Sequence, residues 1–89
     1  MTEAQNAILI EIVPDDPEID LNNILEEIKS RLPENVTIKD HKIEPFVFGI
    51  DKLKIMLVAP EEEGLASKIE SIINSMQGVT AEVLSITRL

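Results

Sequence analysis

The chain has two aromatic side chains, Phe46 and Phe48, and they lie between Pro45 and Gly49. Aromatic side chains supply much of the apolar area in cores and interfaces, whereas Pro and Gly interrupt regular structure. The other large apolar residues are mainly aliphatic, with 14 isoleucines and 9 leucines, and they can fill a core without the phenylalanines. At least one phenylalanine is therefore expected to face a partner. The chemistry that this segment offers is noncovalent recognition.

Groups for covalent or metal chemistry are scarce. The chain contains no cysteine, which excludes a disulfide framework, a thiolate metal site and a cysteine nucleophile. His41 is the single histidine and has no paired base nearby in the sequence. Asp15, Asp16 and Glu18 lack the glycine and the ligand spacing of a calcium loop, so they indicate a solvated turn. We assign no catalytic residue, no metal ligand and no cofactor.

The net charge of −9 disfavours nucleic acid and anionic lipid as partners. The least acidic part of the chain is residues 36–54, which contain four lysines, three acidic residues and both phenylalanines. No apolar run approaches the ~20 residues of a membrane span, and the N-terminus lacks the features of a signal peptide. We therefore expect a cytoplasmic protein without a membrane segment.

Four strands are predicted from alternating apolar residues. Residues 7–13 place Ile8, Ile10 and Ile12 on one face, which is typical of a central strand. Residues 36–44 form a weaker, polar strand, residues 52–58 alternate clearly, and residues 79–87 form the last strand.

Two helices are predicted from apolar residues at helical spacing. The first has Asp20 as its N-cap and ends at Pro33, and its apolar stripe consists of Leu21, Ile24, Leu25, Ile28 and Leu32. The second begins at the acidic residues Glu61, Glu62 and Glu63, which suit a helix N-terminus, and ends at Gly78. Its stripe consists of Leu65, Ile69, Ile72, Ile73 and Met76.

The order strand, helix, strand, strand, helix, strand predicts a ferredoxin-like α+β fold (βαββαβ), with two helices on one face of a four-stranded antiparallel sheet. The whole chain, residues 1–89, is expected to form a single domain. Right-handed crossovers put the hairpin of residues 46–50 at one end of the sheet and Arg88-Leu89 at the other. The expected separation is roughly 25 to 30 Å, and two such contacts could bridge two domains of a partner.

Because this fold carries many functions, its site chemistry must discriminate among them. An RNA-recognition domain needs aromatic residues on its first and third strands, and these strands have none. A metal chaperone needs a cysteine pair in the first loop and an acylphosphatase needs a basic cradle there, but this loop is acidic. A regulatory domain that binds a small molecule between subunits leaves little trace in a sequence and stays open as the alternative.

Several segments resemble translation elongation factor 1-beta. Phe48-Gly49-Ile50, one variable position and Lys52-Leu53 match the family's aromatic-Gly-Ile-x-Lys-Leu segment between strands two and three. The chain also ends in a basic residue followed by Leu, as Arg88-Leu89, and residues 14–20 resemble the family's Pro-Asp-rich turn. The resemblance covers essentially the whole chain and is to the short archaeal form.

The resemblance implies a guanine-nucleotide exchange factor for elongation factor 1-alpha, without covalent catalysis and monomeric when free. In the family, the hairpin aromatic packs into a pocket on the second domain of the GTPase, and the terminal basic residue reaches the magnesium and phosphate region. These positions correspond to Phe48 and to Arg88, where eukaryotic relatives usually have Lys. The expected partner-binding residues are Phe46, Phe48, Gly49, Lys52, Arg88 and Leu89.

Overall fold

A computed structural model describes residues 4–89, and its six elements follow the predicted order. They are β1 (Gln5–Pro14), α1 (Leu21–Arg31), β2 (Thr37–Val47), β3 (Ile50–Pro60), α2 (Leu65–Asn74) and β4 (Val79–Arg88). Among these residues no helix is long and apolar enough to cross a membrane.

The four strands form one sheet in the order β2-β3-β1-β4, and every neighbouring pair is antiparallel. β1 and β2 therefore run in one direction, and β3 and β4 run in the other. This arrangement puts the β2–β3 turn at one end of the sheet and the C-terminus at the opposite end, as predicted.

The core is aliphatic and lies between one face of the sheet and both helices. Ile10 and Ile12 of β1 and Leu53, Ile55 and Leu57 of β3 have no solvent exposure. Most residues of the predicted stripes of α1 and α2 belong to the same buried cluster; Leu32 packs against it and Ile72 is only partly buried. Both helices thus cover one face, which confirms the ferredoxin-like α+β fold. Neither phenylalanine belongs to this cluster.

Helix α1 begins and ends close to the predicted positions. The Asp20 side chain accepts a hydrogen bond from the backbone N–H of Asn22 at 2.9 Å, as expected for an N-cap. At the other end, the Leu32 N–H donates to the Ile28 carbonyl, and the chain is extended at Leu32 before Pro33.

The predicted start of α2 at Glu61, Glu62 and Glu63 is wrong. The helix begins at Leu65, and its first turn contains no acidic residue. The reason is that β3 continues to Pro60, after which the Glu61 N–H donates to the Ala4 carbonyl at 2.8 Å. Gly64, with φ of 79°, then turns the chain into the helix, a conformation that glycine adopts most readily.

Strands β2 and β3 are longer than predicted and include residues that the sequence assigned to the turn. Pro45 and Phe46 belong to β2, so the turn is reduced to Phe48 and Gly49. Pro45 was expected to interrupt regular structure, but β2 lies at the edge of the sheet, where a residue without an N–H is tolerated. Gly49, the second of the two turn residues, adopts φ of 72°, a conformation that glycine supplies at this position of a tight turn.

Strand β4, which leads to the C-terminus, is fixed on both sides over its first half. On one side it pairs with β1. On its free edge, the Asn74 side chain bonds the Ala81 N–H at 2.7 Å and the Ala81 carbonyl at 3.1 Å, while Glu70 accepts from the Val83 N–H at 2.9 Å. These bonds satisfy edge groups that are otherwise open to another strand.

Candidate functional site

The β2–β3 hairpin carries an exposed apolar tip beyond the rest of the sheet. The last pair between β1 and β3 joins Ile12 to Leu53, so the residues of β3 before Leu53 pair with β2 alone. Phe48 occupies the turn and is fully exposed, and Val47 beside it is about half exposed (53%). Because the Phe48 side chain buries no apolar area within the folded chain, its whole apolar surface is available to a partner.

Phe46 lies just below the tip and is oriented by a lysine. It is the extra residue of a β-bulge, because Pro45 pairs with Asp51 while Val47 pairs with Ile50. The Lys52 ammonium lies 5.3 Å from the centre of the Phe46 ring, within range of a cation–π interaction. Phe46 is 45% exposed, so its ring is shared between this contact and solvent.

Lys52 was expected to bind a partner, but its ammonium already has a partner within the chain. Its Nζ lies 2.7 Å from Oε1 of Glu11, and its side chain is only 19% exposed. The hydrogen bond to Glu11 raises the pKa of Lys52, with smaller contributions from the charges of Glu11 and Glu44, while partial burial opposes the shift. The lysine therefore joins β1, β3 and the Phe46 ring and supports the base of the hairpin.

A second ion-pair group lies beside it on the sheet face that the helices leave open. The Glu44 carboxylate pairs with two lysines: its Oε1 lies 2.9 Å from Nζ of Lys54, and its Oε2 lies 3.6 Å from Nζ of Lys42. The hydrogen bond from Lys54 is the main cause that lowers the pKa of Glu44; desolvation opposes it, and the charges of Lys54, Lys42 and Lys52 lower the pKa further. The Lys54–Glu44 pair joins β3 to β2 below the tip, whereas Lys42 and Glu44 lie on the same strand.

The lowered pKa of Glu44 predicts a loss of stability in acid. The unfolded chain binds the proton first, so the contribution of Glu44 is present above the ordinary carboxyl pKa of about 4.3 and is lost as the pH falls through the folded-state value. Glu44→Gln should therefore lower the free energy of unfolding at pH 7 and converge with wild type in acid. Urea unfolding followed by far-ultraviolet circular dichroism measures this difference.

Glu34→Gln is the matched control for the acid prediction. Glu34 is exposed and forms no ion pair within residues 4–89, so this variant removes one negative charge without breaking an ion pair and should change stability little at pH 7. If the free energies of unfolding of Glu44→Gln and wild type differed by the same amount from neutral pH into acid, the lowered pKa of Glu44 would not contribute to stability.

The C-terminal dipeptide is anchored by its backbone at the opposite end of the sheet. Arg88 pairs with Asn6 of β1, and the Leu89 N–H donates to the Gln5 carbonyl at 2.8 Å. The Leu89 side chain is 67% exposed. The Arg88 Nε lies 3.1 Å from Oε2 of Glu61, and the arginine side chain remains 72% exposed. The terminal cation is therefore held at a defined place and is accessible.

Strand β3, which connects the two ends, is longer than the sequence predicted, so their estimated separation is larger. β3 runs for 11 residues from the hairpin turn to Pro60, which pairs with Gln5 beside the C-terminus. At ~3.3 Å per residue this strand spans about 36 Å, compared with the expected 25 to 30 Å. The longest dimension of the molecule is 47 Å. Phe48 and Arg88 thus lie at opposite ends of one sheet, and they cannot act on the same small ligand.

The remaining polar residues that the sequence singled out have local roles. The Asp16 side chain accepts from the Glu18 N–H at 2.8 Å and Asp20 caps α1, as a solvated acidic turn requires. His41 is exposed on β2. No group of three or more His, Cys, Asp or Glu side chains within residues 4–89 is arranged to hold a metal ion.

Two acidic residues bind cations of the candidate site, and neither pairing was predicted from the sequence, which assigned Glu61 only to a helix start. Glu11 anchors Lys52, and Glu61 binds Arg88. Both are acidic residues on or beside a strand, but the pairing register that brings each to its cation joins residues far apart in the chain. An alternation pattern gives the face of a residue and not its cross-strand neighbour.

A concave surface lies beside each end. A groove of about 220 Å³ beside the hairpin is lined by residues from the acidic turn, the start of α1 and the hairpin, including Asp20, Ile43, Gly49 and Asp51. A wider, open concavity of about 490 Å³ lies at the other end and includes Ala4, Asn35, Pro60 and Glu61 in its walls. Both are open and partly polar, unlike the enclosed apolar pockets that hold small organic ligands.

The structural comparison supports the fold. The C-terminal domain of the MgtC protein from Mycobacterium tuberculosis superposes with a TM-score of 0.56, covering 100% of this chain and 89% of that domain. The two sequences are 11% identical, so the likeness concerns the arrangement of elements alone.

The sequence comparisons place both ends of the molecule in one family. Residues 7–89 match the EF-1 guanine nucleotide exchange domain. Proteins named elongation factor 1-beta from Thermofilum pendens and Sulfolobus acidocaldarius are each 37% identical over 84 residues, covering 92% of this chain and 92% and 93% of theirs. The protein of that name from Hyperthermus butylicus is 39% identical over 77 residues, covering 85% of this chain and 84% of its own. The chain therefore belongs to the elongation factor 1-beta family of guanine nucleotide exchange factors, as its hairpin and terminal motifs indicated.

Proposed function

We propose that this chain promotes the exchange of GDP for GTP on elongation factor 1-alpha, the GTPase that delivers aminoacyl-tRNA to the ribosome. The observation that carries the proposal is the placement of Phe48 and Arg88. One is a fully exposed aromatic residue and the other an accessible cation, and they lie at opposite ends of one hydrogen-bonded sheet. Such a molecule can bind one domain of a partner and act on another.

The hairpin end would provide the anchor. Phe48 is carried by a two-residue turn whose Gly49 supplies the required backbone conformation, and Lys52 orients Phe46 beneath it. Burial of one phenylalanine side chain contributes on the order of 2 kcal/mol to binding. Aromatic residues that fill a pocket at the centre of an interface often dominate its affinity.

The terminal end would act on the nucleotide site. Arg88 carries a delocalised charge with several N–H donors, and these can bind phosphate or carboxylate oxygens in a bidentate manner. When the guanidinium binds such oxygens of the GTPase, it competes with the partner's Mg²⁺ for them and weakens the hold on GDP. Each 1.4 kcal/mol removed from the barrier speeds release about tenfold. Leu89 adds an exposed apolar side chain next to the cation.

The length of the sheet connects these two roles. Because the hairpin and the C-terminus belong to the same set of paired strands, docking of Phe48 sets the position of Arg88 about 36 Å away. The coupling is reciprocal, so nucleotide binding to the GTPase expels the exchange factor. The chain needs no covalent step and no cofactor of its own for this cycle.

The proposed partner is a single GTPase molecule in a one-to-one complex. We propose that residues 1–89 act as one exchange domain, monomeric when free, in the cytoplasm where translation takes place. A direct role for nucleic acid or a membrane surface is disfavoured by the net charge of −9. The alternative, a regulatory domain that binds a small molecule between two subunits, requires a stable dimer and gives the terminal dipeptide no role.

Release of a fluorescent GDP analogue from an archaeal elongation factor 1-alpha, in excess GTP, tests the proposed function. The full chain should accelerate release, and the chain lacking residues 88 and 89 should do so far less. The chain has no Trp or Tyr, so its own fluorescence is negligible in this assay. Absence of acceleration at every Mg²⁺ concentration would reject the exchange function, and sedimentation with a ligand screen would then test the dimeric alternative.

A further inference from the structure

The side chain proposed to act on the GTPase is already bound to an anion of its own chain. The Nε of Arg88 lies 3.1 Å from Oε2 of Glu61. Glu61 directly follows β3, Arg88 is the last residue of β4, and both lie beside the start of β1. Pro60 pairs with Gln5, and Arg88 pairs with Asn6. The sheet register therefore creates this pair, which spans the beginning of β1.

The backbones on both sides of the pair are fixed. The Glu61 N–H donates to the Ala4 carbonyl, and the Leu89 N–H donates to the Gln5 carbonyl, each at 2.8 Å. The side chains themselves stay accessible, with Arg88 72% and Glu61 43% exposed. An exposed ion pair of this kind is weak and can exchange partners. Arg88 is thus held in a defined orientation by a bond that a competing anion can break.

We propose that Glu61 is a positioning residue that competes with the anions of the GTPase for Arg88. This inference rests on the proposed function of Arg88. In the free protein, Glu61 holds the guanidinium at the end of the sheet. When the complex forms, Arg88 must leave Glu61 for phosphate or carboxylate oxygens, and the Glu61 carboxylate is left unpaired beside an anionic site. Glu61 therefore opposes insertion of Arg88 and favours its return.

A matched variant at Glu63 distinguishes the proposed role of Glu61 from a general effect of negative charge. Glu63 lies two residues from Glu61 and is exposed, and it forms no ion pair among residues 4–89. Glu61→Gln and Glu63→Gln remove the same charge from the same loop. They differ in that only the first frees Arg88.

The ion pair can be measured without the GTPase. The chain has two arginines, Arg31 and Arg88, and the Nε of Arg31 binds Glu27 at 3.0 Å. In an NMR spectrum of the arginine Nε–H groups, Glu61→Gln should shift the Arg88 signal and speed its exchange with solvent severalfold. The Arg31 signal should stay unchanged as an internal reference. An unchanged Arg88 signal would overturn the proposal, because no bond to Glu61 would then exist in solution.

The exchange assay measures the consequence of the pair. At low salt, Glu61→Gln should raise kcat/KM for GDP release about two- to fivefold, and the gain should shrink as salt screens the charges. Glu63→Gln should have a smaller effect. In the Arg88→Ala background, Glu61→Gln should give no gain, because the guanidinium for which Glu61 competes is absent. The gain at low salt must therefore depend on the presence of Arg88.

The other outcomes overturn the proposal in distinct ways. An equal gain from Glu63→Gln, or a gain that persists without Arg88, would assign the effect to bulk charge. Slower or unchanged exchange with Glu61→Gln would mean that Glu61 is no competitor. If wild type fails to accelerate GDP release, the proposed function and the competitor role fall together. The NMR experiment would still decide whether the ion pair forms.

Discussion

Replacing Phe48 with alanine is expected to weaken binding to elongation factor 1-alpha by about 30-fold. Phe48 is fully exposed in the free protein, so the energy of burying it is gained only in the complex. A buried phenylalanine contributes on the order of 2 kcal/mol, which corresponds to about 30-fold in Kd. Titration calorimetry with the nucleotide-free GTPase measures the change. At saturating concentrations of the variant, GDP release should recover, because Arg88 is intact.

The same substitution should leave the stability of the free chain unchanged. Phe48 lies outside the core cluster, and the adjacent Gly49 still provides the positive φ of the turn. Leu84→Ala is the matched control, since Leu84 is an exposed apolar residue on β4, away from the tip. A similar loss of affinity in Leu84→Ala, or an unchanged affinity in Phe48→Ala, would show that the hairpin is not the anchor.

The fold could be predicted from the sequence because its core is built from regularly spaced aliphatic residues. Ile8, Ile10 and Ile12 alternate with partly exposed residues, and they are buried as the pattern indicates. The helical stripes led to the correct face of both helices, and Asp20 marked the start of α1. Local hydrophobic periodicity and capping were enough for element type, order and direction.

The ends of the elements were harder to predict, because they depend on contacts between distant residues. Pro45 is a breaker by its own chemistry, yet it belongs to β2 because that strand is at the edge of the sheet. Glu61 looks like a favourable first residue for a helix, yet it lies directly after β3, where its N–H donates to the Ala4 carbonyl. In both cases the position in the sheet outweighed local propensity.

At the candidate site, too, some features could be predicted from the sequence and others depended on contacts between distant residues. The exposure of Phe48 and the placement of Arg88 at the far end followed from the pattern and the connectivity. The ion pairs did not, because Lys52–Glu11 and Arg88–Glu61 each join side chains from two different strands or strand ends. Only the register makes them neighbours. Lys52, which was expected to bind a partner, also supports the hairpin through its bond to Glu11.

The ion pairs at the two ends differ in how far their side chains are exposed to solvent. At the hairpin, Lys52 is 19% exposed and bonded at 2.7 Å, which suits a support that does not move. At the C-terminus, Arg88 is 72% exposed and bonded at 3.1 Å, which suits a group that changes partners. This difference agrees with the proposed division into an anchor at the hairpin and an effector at the C-terminus. It predicts that binding and exchange can be separated by mutation.

Replacing Arg88 with alanine is expected to slow GDP release from the complex about 100-fold while changing the affinity less than threefold. The substitution removes the only group at that end proposed to compete with Mg²⁺ for phosphate and carboxylate oxygens. Charged groups of this kind change rates by about 10² to 10³, and 100-fold corresponds to about 2.7 kcal/mol in the barrier. Stopped-flow release of a fluorescent GDP analogue at saturating exchange factor measures the rate.

Two further variants isolate the role of the Arg88 charge. Arg31→Ala removes the other arginine, which pairs with Glu27 at the end of α1, and it should leave release unchanged. Arg88→Lys keeps the charge but loses the bidentate geometry, so it should restore a substantial part of the rate. Phe48→Ala and Arg88→Ala should then affect different parameters, because one removes the anchor and the other the effector. Equal losses of affinity and of rate in both variants would mean that the two ends do not act separately, and the proposed division between anchor and effector would fail.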